Sequence, residues 1–82
     1  MENSIAHELW LGFSSLNVDY RLISAIVRYQ TEWDRRIIQA HGTLPGGVRS
    51  VVLLRDGRAL PSRRSVDDLN QQWYAWRAEH DS

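Results

Sequence analysis

The hydrophobic pattern of this chain changes from a helical to a strand period at residues 43–47, which read Thr-Leu-Pro-Gly-Gly. Before this segment, apolar residues recur at spacings of three and four, which favours helices. After it, an apolar run from Val48 to Leu54 is rich in β-branched residues and favours a strand. Pro and Gly between the two regions mark a loop. The chain therefore combines a helical first part with strands.

Two helices are predicted before this loop. A short first helix has Ser4 as its N-cap and apolar residues at Ile5, Leu9 and Phe13. A long second helix is predicted from Val18 to His41, and Gly42 takes the left-handed position that commonly ends a helix.

The long helix carries a second apolar face that predicts self-association. Ile23, Val27 and Ile38 lie on this face, away from the main apolar stripe. Leaving these side chains in water would forgo roughly 1.5 to 3 kcal/mol each. We therefore expect a homodimer or a complex with another protein, and in the homodimer all three residues lie in the interface. The alternative is that the C-terminal helix covers this face within one chain.

A β-hairpin and a third helix are predicted after the loop. Asp56-Gly57 indicates a two-residue type I′ turn, and the returning strand is expected to stop at Pro61. Ser65 is a helix N-cap, and apolar residues then continue at helical spacing to His80. The predicted order is short helix, long helix, β-hairpin and C-terminal helix (ααββα). This is an α+β, mainly helical fold that forms one compact domain over residues 1–82.

Charge and composition narrow the classes of partner. Ten basic and ten acidic residues cancel, so attraction of the whole molecule to nucleic acid or anionic lipid is not expected. The sequence contains no cysteine, which excludes disulfides and thiol catalysis and favours a cytoplasmic location. The first residues lack the pattern of a signal peptide, and no apolar stretch approaches ~18 residues, so no membrane segment is expected.

The motifs of known catalytic and cofactor sites do not occur in the sequence. His7, His41 and His80 each stand outside any metal-ligand or triad motif. A phosphate-binding glycine loop and a nucleophile elbow are also missing. We therefore expect no catalytic residues, no cofactor and no metal.

Aromatic residues are the first feature suited to partner binding. The chain has four tryptophans, a residue type that is common at interaction hot spots. Trp33 and Trp73 are expected in the core. Trp10, Tyr74 and Trp76 are the candidates for contact with a partner.

A basic hairpin is the second such feature, and an acidic helix follows it. Its candidate binding residues are Arg49, Arg55, Arg58, Arg63 and Arg64. In a two-residue turn, Arg55 and Arg58 would face each other across the strands. Guanidinium groups bind carboxylates or phosphates, but no aromatic residue lies among these arginines to stack on bases.

The stretch from Val51 to about Ala78 resembles the head-to-tail joining proteins of lambda-like phages. The resemblance rests on Arg-Asp-Gly-Arg at residues 55–58 and on Ser-Val-Asp-Asp-Leu at residues 65–69, and it covers about a third of the chain. It implies a small non-enzymatic assembly protein with two helices and a hairpin. The early Pro61 and the additional N-terminal helix depart from that pattern, and no functional residue is carried over.

These features predict a small non-enzymatic protein that binds another protein, as a regulator, inhibitor or assembly adaptor. One alternative is a nucleic-acid-binding protein that uses the basic hairpin. Another is a structural protein of the phage head-tail joining type.

Overall fold

A computed structural model of the chain describes residues 7–80, which form five strands and two α-helices. The strands are β1 (Glu8–Trp10), β2 (Asn17–Asp19), β3 (Ile23–Arg28), β4 (Ser50–Leu54) and β5 (Ala59–Ser62). The helices are α1 (Asp34–His41) and α2 (Val66–His80), and short 3-10 helices occur at Tyr20–Leu22 and Thr31–Trp33. The fold is α+β, but the prediction that it is mainly helical, in the order ααββα, is wrong.

The strands form two antiparallel sheets. β4 is the central strand of a three-stranded sheet with β3 and β5 at its edges, and β1 and β2 form a separate hairpin. Neighbouring residues of β4 serve opposite faces of the sheet, since Val52 belongs to one apolar cluster and Val51 to another. The first cluster lies between the sheet, α2 and the β1–β2 hairpin, and the second lies between the sheet and α1.

The predicted long helix from Val18 to His41 is wrong over most of its length. Val18 lies in β2, a 3-10 helix and β3 follow, and the α-helix begins only at Asp34. Branching at Cβ in valine and isoleucine favours strands, and here the sheet also buries their side chains. The predicted end of the helix is confirmed, because α1 ends at His41 and Gly42 has a φ of 100°.

The predicted first helix is also wrong. Leu9 lies in β1 and pairs with Val18, and Phe13 lies in the connection between β1 and β2. Ser4 and Ile5, the proposed cap and first apolar residue, lie outside the described residues. Leu9 is fully buried because β1 pairs with β2 and packs against the apolar cluster between the sheet and α2. These contacts join residues that are distant in sequence, so the local spacing of apolar residues does not reveal them.

The β4–β5 hairpin is confirmed, but its turn differs from the prediction. Leu54 N–H donates to Arg58 C=O at 2.9 Å, and Gly57 N–H donates to Leu54 C=O at 3.0 Å, so the loop has three residues. Gly57 has a φ of 94°, whereas Asp56 is not in the left-handed region. The loop is therefore a three-residue hairpin loop with a G1 bulge at its glycine, and not the predicted two-residue type I′ turn. Arg55 therefore lies in the loop and does not face Arg58.

Pro61 does not end the last strand, which continues to Ser62. Along β4, every second residue forms backbone hydrogen bonds to β5, and Leu54 is one of these residues. Val51, which lies opposite Pro61, is three positions from Leu54 and so belongs to the other set. Pro61 therefore occupies a position of β5 whose backbone nitrogen would not bond to β4, which is where an edge strand tolerates proline.

The C-terminal helix is confirmed. Ser65 Oγ accepts a hydrogen bond from Asp68 N–H at 3.1 Å, which caps the first turn of α2. Neither helix within residues 7–80 is long and apolar enough to cross a membrane.

Candidate functional site

Aromatic and cationic side chains line a cleft of about 500 Å³ between the start of β3 and the C-terminal half of α2. We call it the aromatic cleft. It is lined by the rings of Tyr20, Trp73, Trp76 and His80, by the guanidinium groups of Arg21, Arg55 and Arg77, and by Ile23 and Ser24. The α2 residues share one face because they follow each other at helical spacings of three and four.

Three rings form a continuous stack in this cleft. The Trp76 ring lies 5.3 Å from Tyr20 at an interplanar angle of 14°, and 4.6 Å from His80 at 17°. The His80 ring is fixed by a hydrogen bond, since Nδ1 lies 2.9 Å from the Trp76 carbonyl oxygen. The indole of Trp76 is therefore stacked against two other rings of the protein, one from the segment before β3 and one from α2 itself.

Two polar groups beneath the stack are shielded from solvent. Burial raises the pKa of the Tyr20 hydroxyl, which stays protonated. Trp76 Nε1 is shielded from solvent and has no hydrogen-bond acceptor among residues 7–80. A polar donor left in this state costs stability.

Arg21, at one side of the cleft, has its charge compensated by Asp19. Its Nη2 lies 2.7 Å from Asp19 Oδ2 and its Nε 3.1 Å from Oδ1, while its backbone N–H donates to Oδ1 at 2.8 Å. These bonds to the carboxylate hold the pKa of Asp19 at about 2 and raise the pKa of Arg21.

Arg55 and Arg77 keep their charge available. The Arg77 guanidinium stands 5.2 Å from the centre of the Trp73 ring, a cation–π contact that positions it without neutralising it. Arg55 is exposed and its side chain makes no hydrogen bond or ion pair with the described residues. No carboxylate is among the described residues that line the cleft. The arrangement suits an anionic group, above all a carboxylate, which guanidinium groups bind through charge-assisted hydrogen bonds.

A second cleft, of about 390 Å³, lies at the other end of β3. Arg28 of β3 and Arg49 line it together with the first residues of α2, including Asp67. Arg49, one of the predicted hairpin arginines, is therefore separated from Arg55 by the length of the sheet.

The remaining predicted hairpin arginines are engaged in contacts within the protein. Arg58 Nε lies 2.8 Å from Asp56 Oδ2, and Arg63 stands over the Phe13 ring at 5.0 Å. Arg64 is mostly buried and bonds Asp68, Gln72 and the Trp10 carbonyl oxygen. The five arginines thus do not form one continuous basic surface.

The predicted aromatic contact residues also separate. Trp76 lies in the aromatic cleft, whereas Trp10 and Tyr74 are each about half exposed outside its lining. Trp10 Nε1 donates to Ser14 C=O at 3.0 Å and so closes its own hairpin. Trp73 is buried as expected, and Trp33 is only partly buried, against the α1 cluster.

The three residues of the predicted dimer interface do not share a surface. Ile23 is 1% exposed and belongs to the core, Val27 is packed against the α1 cluster, and Ile38 is 46% exposed on α1. Since the helix that placed them on one face does not form, this interface loses its basis. A homodimer stays a prediction.

Among the residues that line the cleft, Trp76 and Arg55 are predicted partner-binding residues, whereas Tyr20, Arg21, Arg77 and His80 are not. The spacing of Trp73, Trp76, Arg77 and His80 along a correctly predicted helix was a usable signal. The position of Tyr20 was not predictable, because its segment was assigned to the wrong secondary structure.

No set of three or more His, Asp or Glu side chains within residues 7–80 is placed to hold a metal ion. Comparisons of the chain with protein-family models, curated proteins and solved structures find no match.

Proposed function

We propose that this chain is a non-enzymatic protein-interaction module whose aromatic cleft binds carboxylate groups of a partner protein. The observation that carries the proposal is that Arg55 and Arg77, two arginines without a carboxylate partner among residues 7–80, line an aromatic cleft together. A guanidinium held at the rim of an aromatic surface offers both apolar contact and charge-assisted hydrogen bonds.

Protein is favoured over nucleic acid as the partner for two reasons. The Trp76 ring is already stacked against Tyr20 and His80, whereas proteins that bind single strands stack bases on accessible aromatic rings. The hairpin arginines are divided between two clefts and internal contacts, so they do not track a phosphate backbone together.

The test is calorimetric titration with an acetylated and amidated peptide of about eight alternating Val and Glu residues, long enough to span one strand. We expect binding at low salt, and we expect Arg55→Glu to weaken it at least about tenfold, or ~1.4 kcal/mol. Arg35→Glu is the matched control because it makes the same charge change on exposed α1, outside the cleft.

Three results would contradict the proposal. One is the absence of peptide binding at ~50 mM salt, where ionic contacts are strong. Another is equal weakening by both variants, which would indicate general charge attraction. The third is tighter binding of a DNA duplex than of the peptide, with a steep salt dependence, which would favour the nucleic-acid alternative.

A further inference from the structure

The outer edge of β3 connects the two clefts. β3 is an edge strand whose neighbour in the sheet is β4. Ser24, near its start, lines the aromatic cleft, and Arg28, at its end, lines the second cleft. The six residues of β3 span ~20 Å at ~3.3 Å per residue. One extended segment of chain can therefore reach both clefts along this edge.

The hydrogen-bond pattern shows which backbone groups face outward. Tyr29 N–H donates to Arg49 C=O at 3.2 Å, so the backbone groups of Tyr29 face β4. Val27 lies two residues earlier, opposite Val51. Residues two apart in an antiparallel strand point their backbone groups to the same side. Ile26 and Arg28 therefore point theirs away from β4. The described residues supply no backbone hydrogen-bond partner for these groups.

The side chains beside this edge differ between the two faces of the sheet. On the α2 face, arginines dominate both clefts: Arg21, Arg55 and Arg77 line one, and Arg28 and Arg49 line the other. Asp67 is the acidic residue among the linings. On the opposite face, Val27 is partly buried against the α1 cluster, so an apolar neighbour would cover it further.

We propose that an extended acidic segment of a partner protein adds to the outer edge of β3 as a fourth strand of the sheet. Its carboxylates, at alternate positions, would meet the arginines of the two clefts, and its apolar residues would cover Val27. Main-chain hydrogen bonds supply affinity in strand addition, and alternate side chains supply specificity. This inference rests on the proposed function, because it states how the same partner is held.

Amide hydrogen exchange followed by NMR tests the backbone contacts. The probe is the alternating Val and Glu peptide, added at saturating concentration. We expect exchange of the Ile26 and Arg28 amides to slow by at least about tenfold, which is ~1.4 kcal/mol of protection. Val27 is the internal control, because its amide already faces β4 and should change far less.

Two N-methylated forms of the peptide provide a matched comparison. Methylation of every second amide in one register removes the N–H groups that face β3, and methylation in the other register removes only outward ones. Charge and composition are identical. We expect one form to bind at least about tenfold more weakly than the other.

The outcomes separate this inference from the proposed function. Peptide binding without protection of Ile26 and Arg28, or equal binding of the two methylated forms, overturns strand addition but leaves the carboxylate-binding cleft intact. Failure of the unmodified peptide to bind contradicts the proposed function itself. Protection already present in the free protein overturns strand addition as well: if it is independent of concentration, the chain covers its own edge, and if it rises with concentration, a second copy does.

Discussion

At the scale of single residues, Gly12 fixes how the β1–β2 hairpin meets the main sheet. Its φ is 94°, and a Cβ added there would lie 2.9 Å from Arg63 Cβ. A hydrogen bond joins the same two segments, since Arg63 N–H donates to the carbonyl of Leu11 at 2.8 Å. Glycine is therefore required at position 12 for two reasons: the backbone has a positive φ, and the segment around Arg63 comes too close for a side chain.

We expect Gly12→Ala to destabilise the protein more than Gly42→Ala does. Both glycines have positive φ, which costs an L-residue ~1 to 2 kcal/mol. An added Cβ at Gly42 meets no atom within 4 Å, so only the conformational cost applies there. Urea unfolding should show at least ~1 kcal/mol of further loss for Gly12→Ala, since shifting packed atoms costs that much or more. Equal losses would mean that the hairpin moves aside freely.

The ion pair of Asp19 and Arg21 predicts a pH-dependent contribution to stability. The folded pKa of Asp19 is about 2, below its unfolded value of ~3.9. The stabilisation is therefore complete above the unfolded pKa and is lost as the pH falls through about 2. Because the pair lies at the surface, Asp19→Asn should cost at most ~1 kcal/mol near neutral pH. The difference in free energy of unfolding between wild type and variant should shrink towards ~pH 2; a difference that stays constant down to that pH would mean that the charge of Asp19 does not contribute.

At the scale of elements, Arg64 joins the end of β5 to β1 and α2. Its side chain is 16% exposed and bonds the Trp10 carbonyl at 2.9 Å, Asp68 at 2.7 Å and Gln72 at 3.1 Å. Hydrogen bonds to a charged group contribute ~1.5 to 3 kcal/mol. Arg64 thus has a structural role, which differs from its predicted role in partner binding.

Replacement of Arg64 should loosen the β1–β2 hairpin. We expect Arg64→Ala to lower the free energy of unfolding by ~2 to 3 kcal/mol, since it leaves a carbonyl and two side chains without their donor. The neighbouring Arg63→Ala removes a contact with Phe13 that is worth only ~0.5 to 1 kcal/mol. Hydrogen exchange of the Leu9 amide should rise in the first variant and not in the second. If Arg63→Ala had the larger effect on stability and on Leu9 exchange, the structural role of Arg64 would be contradicted, and Arg64 would stay a candidate for partner binding.

Elements were predictable where local chemistry decides them. Ser65 capping, the glycine after His41 and the Asp-Gly turn each act over a few residues, and all three mark real element boundaries. β3 was not predictable in this way. The register shift between Ile23 and Ala25 adds one residue to the strand, so Ile23 and Ile26 face the same cluster although they are three apart. That spacing is typical of a helix, and the bulge reproduces it in a strand.

The candidate site was predictable only in part for the same reason. Trp76 and His80 lie on a helix that was correctly identified, so their shared face follows from spacing. Tyr20 reaches them from a segment that is distant in sequence, and the stack depends on packing of the sheet against α2. Such long-range contacts leave no local pattern.

At the scale of the whole molecule, the homodimer no longer follows from an uncovered helix. The largest exposed apolar side chains of the described chain lie in separate elements, such as Leu22, Ile38 and Tyr74. Light scattering over a range of concentrations measures the mass directly. A mass that stays near 9.5 kDa would rule the dimer out.

The two apolar clusters share one sheet, which predicts that they unfold together. Val51 and Val52 are both fully buried, and each supports a different cluster from adjacent positions of β4. Loss of either cluster uncovers one face of the same strand, so neither half keeps a core of its own. We expect a single two-state transition in spite of the helices lying on opposite faces.

Truncation on each side tests this coupling. Ile37 supports the α1 cluster and Leu69 the α2 cluster, and both are fully buried. Each change to alanine should cost ~2 to 4 kcal/mol, a large part of the ~5 to 15 kcal/mol typical of small domains. The indole N–H signals of Trp33 and Trp73 report the two sides separately in urea. Because the shared strand transmits either loss to both faces, the two signals should disappear at one common midpoint in each variant; an earlier loss of the Trp33 signal in Ile37→Ala would show that α1 melts independently.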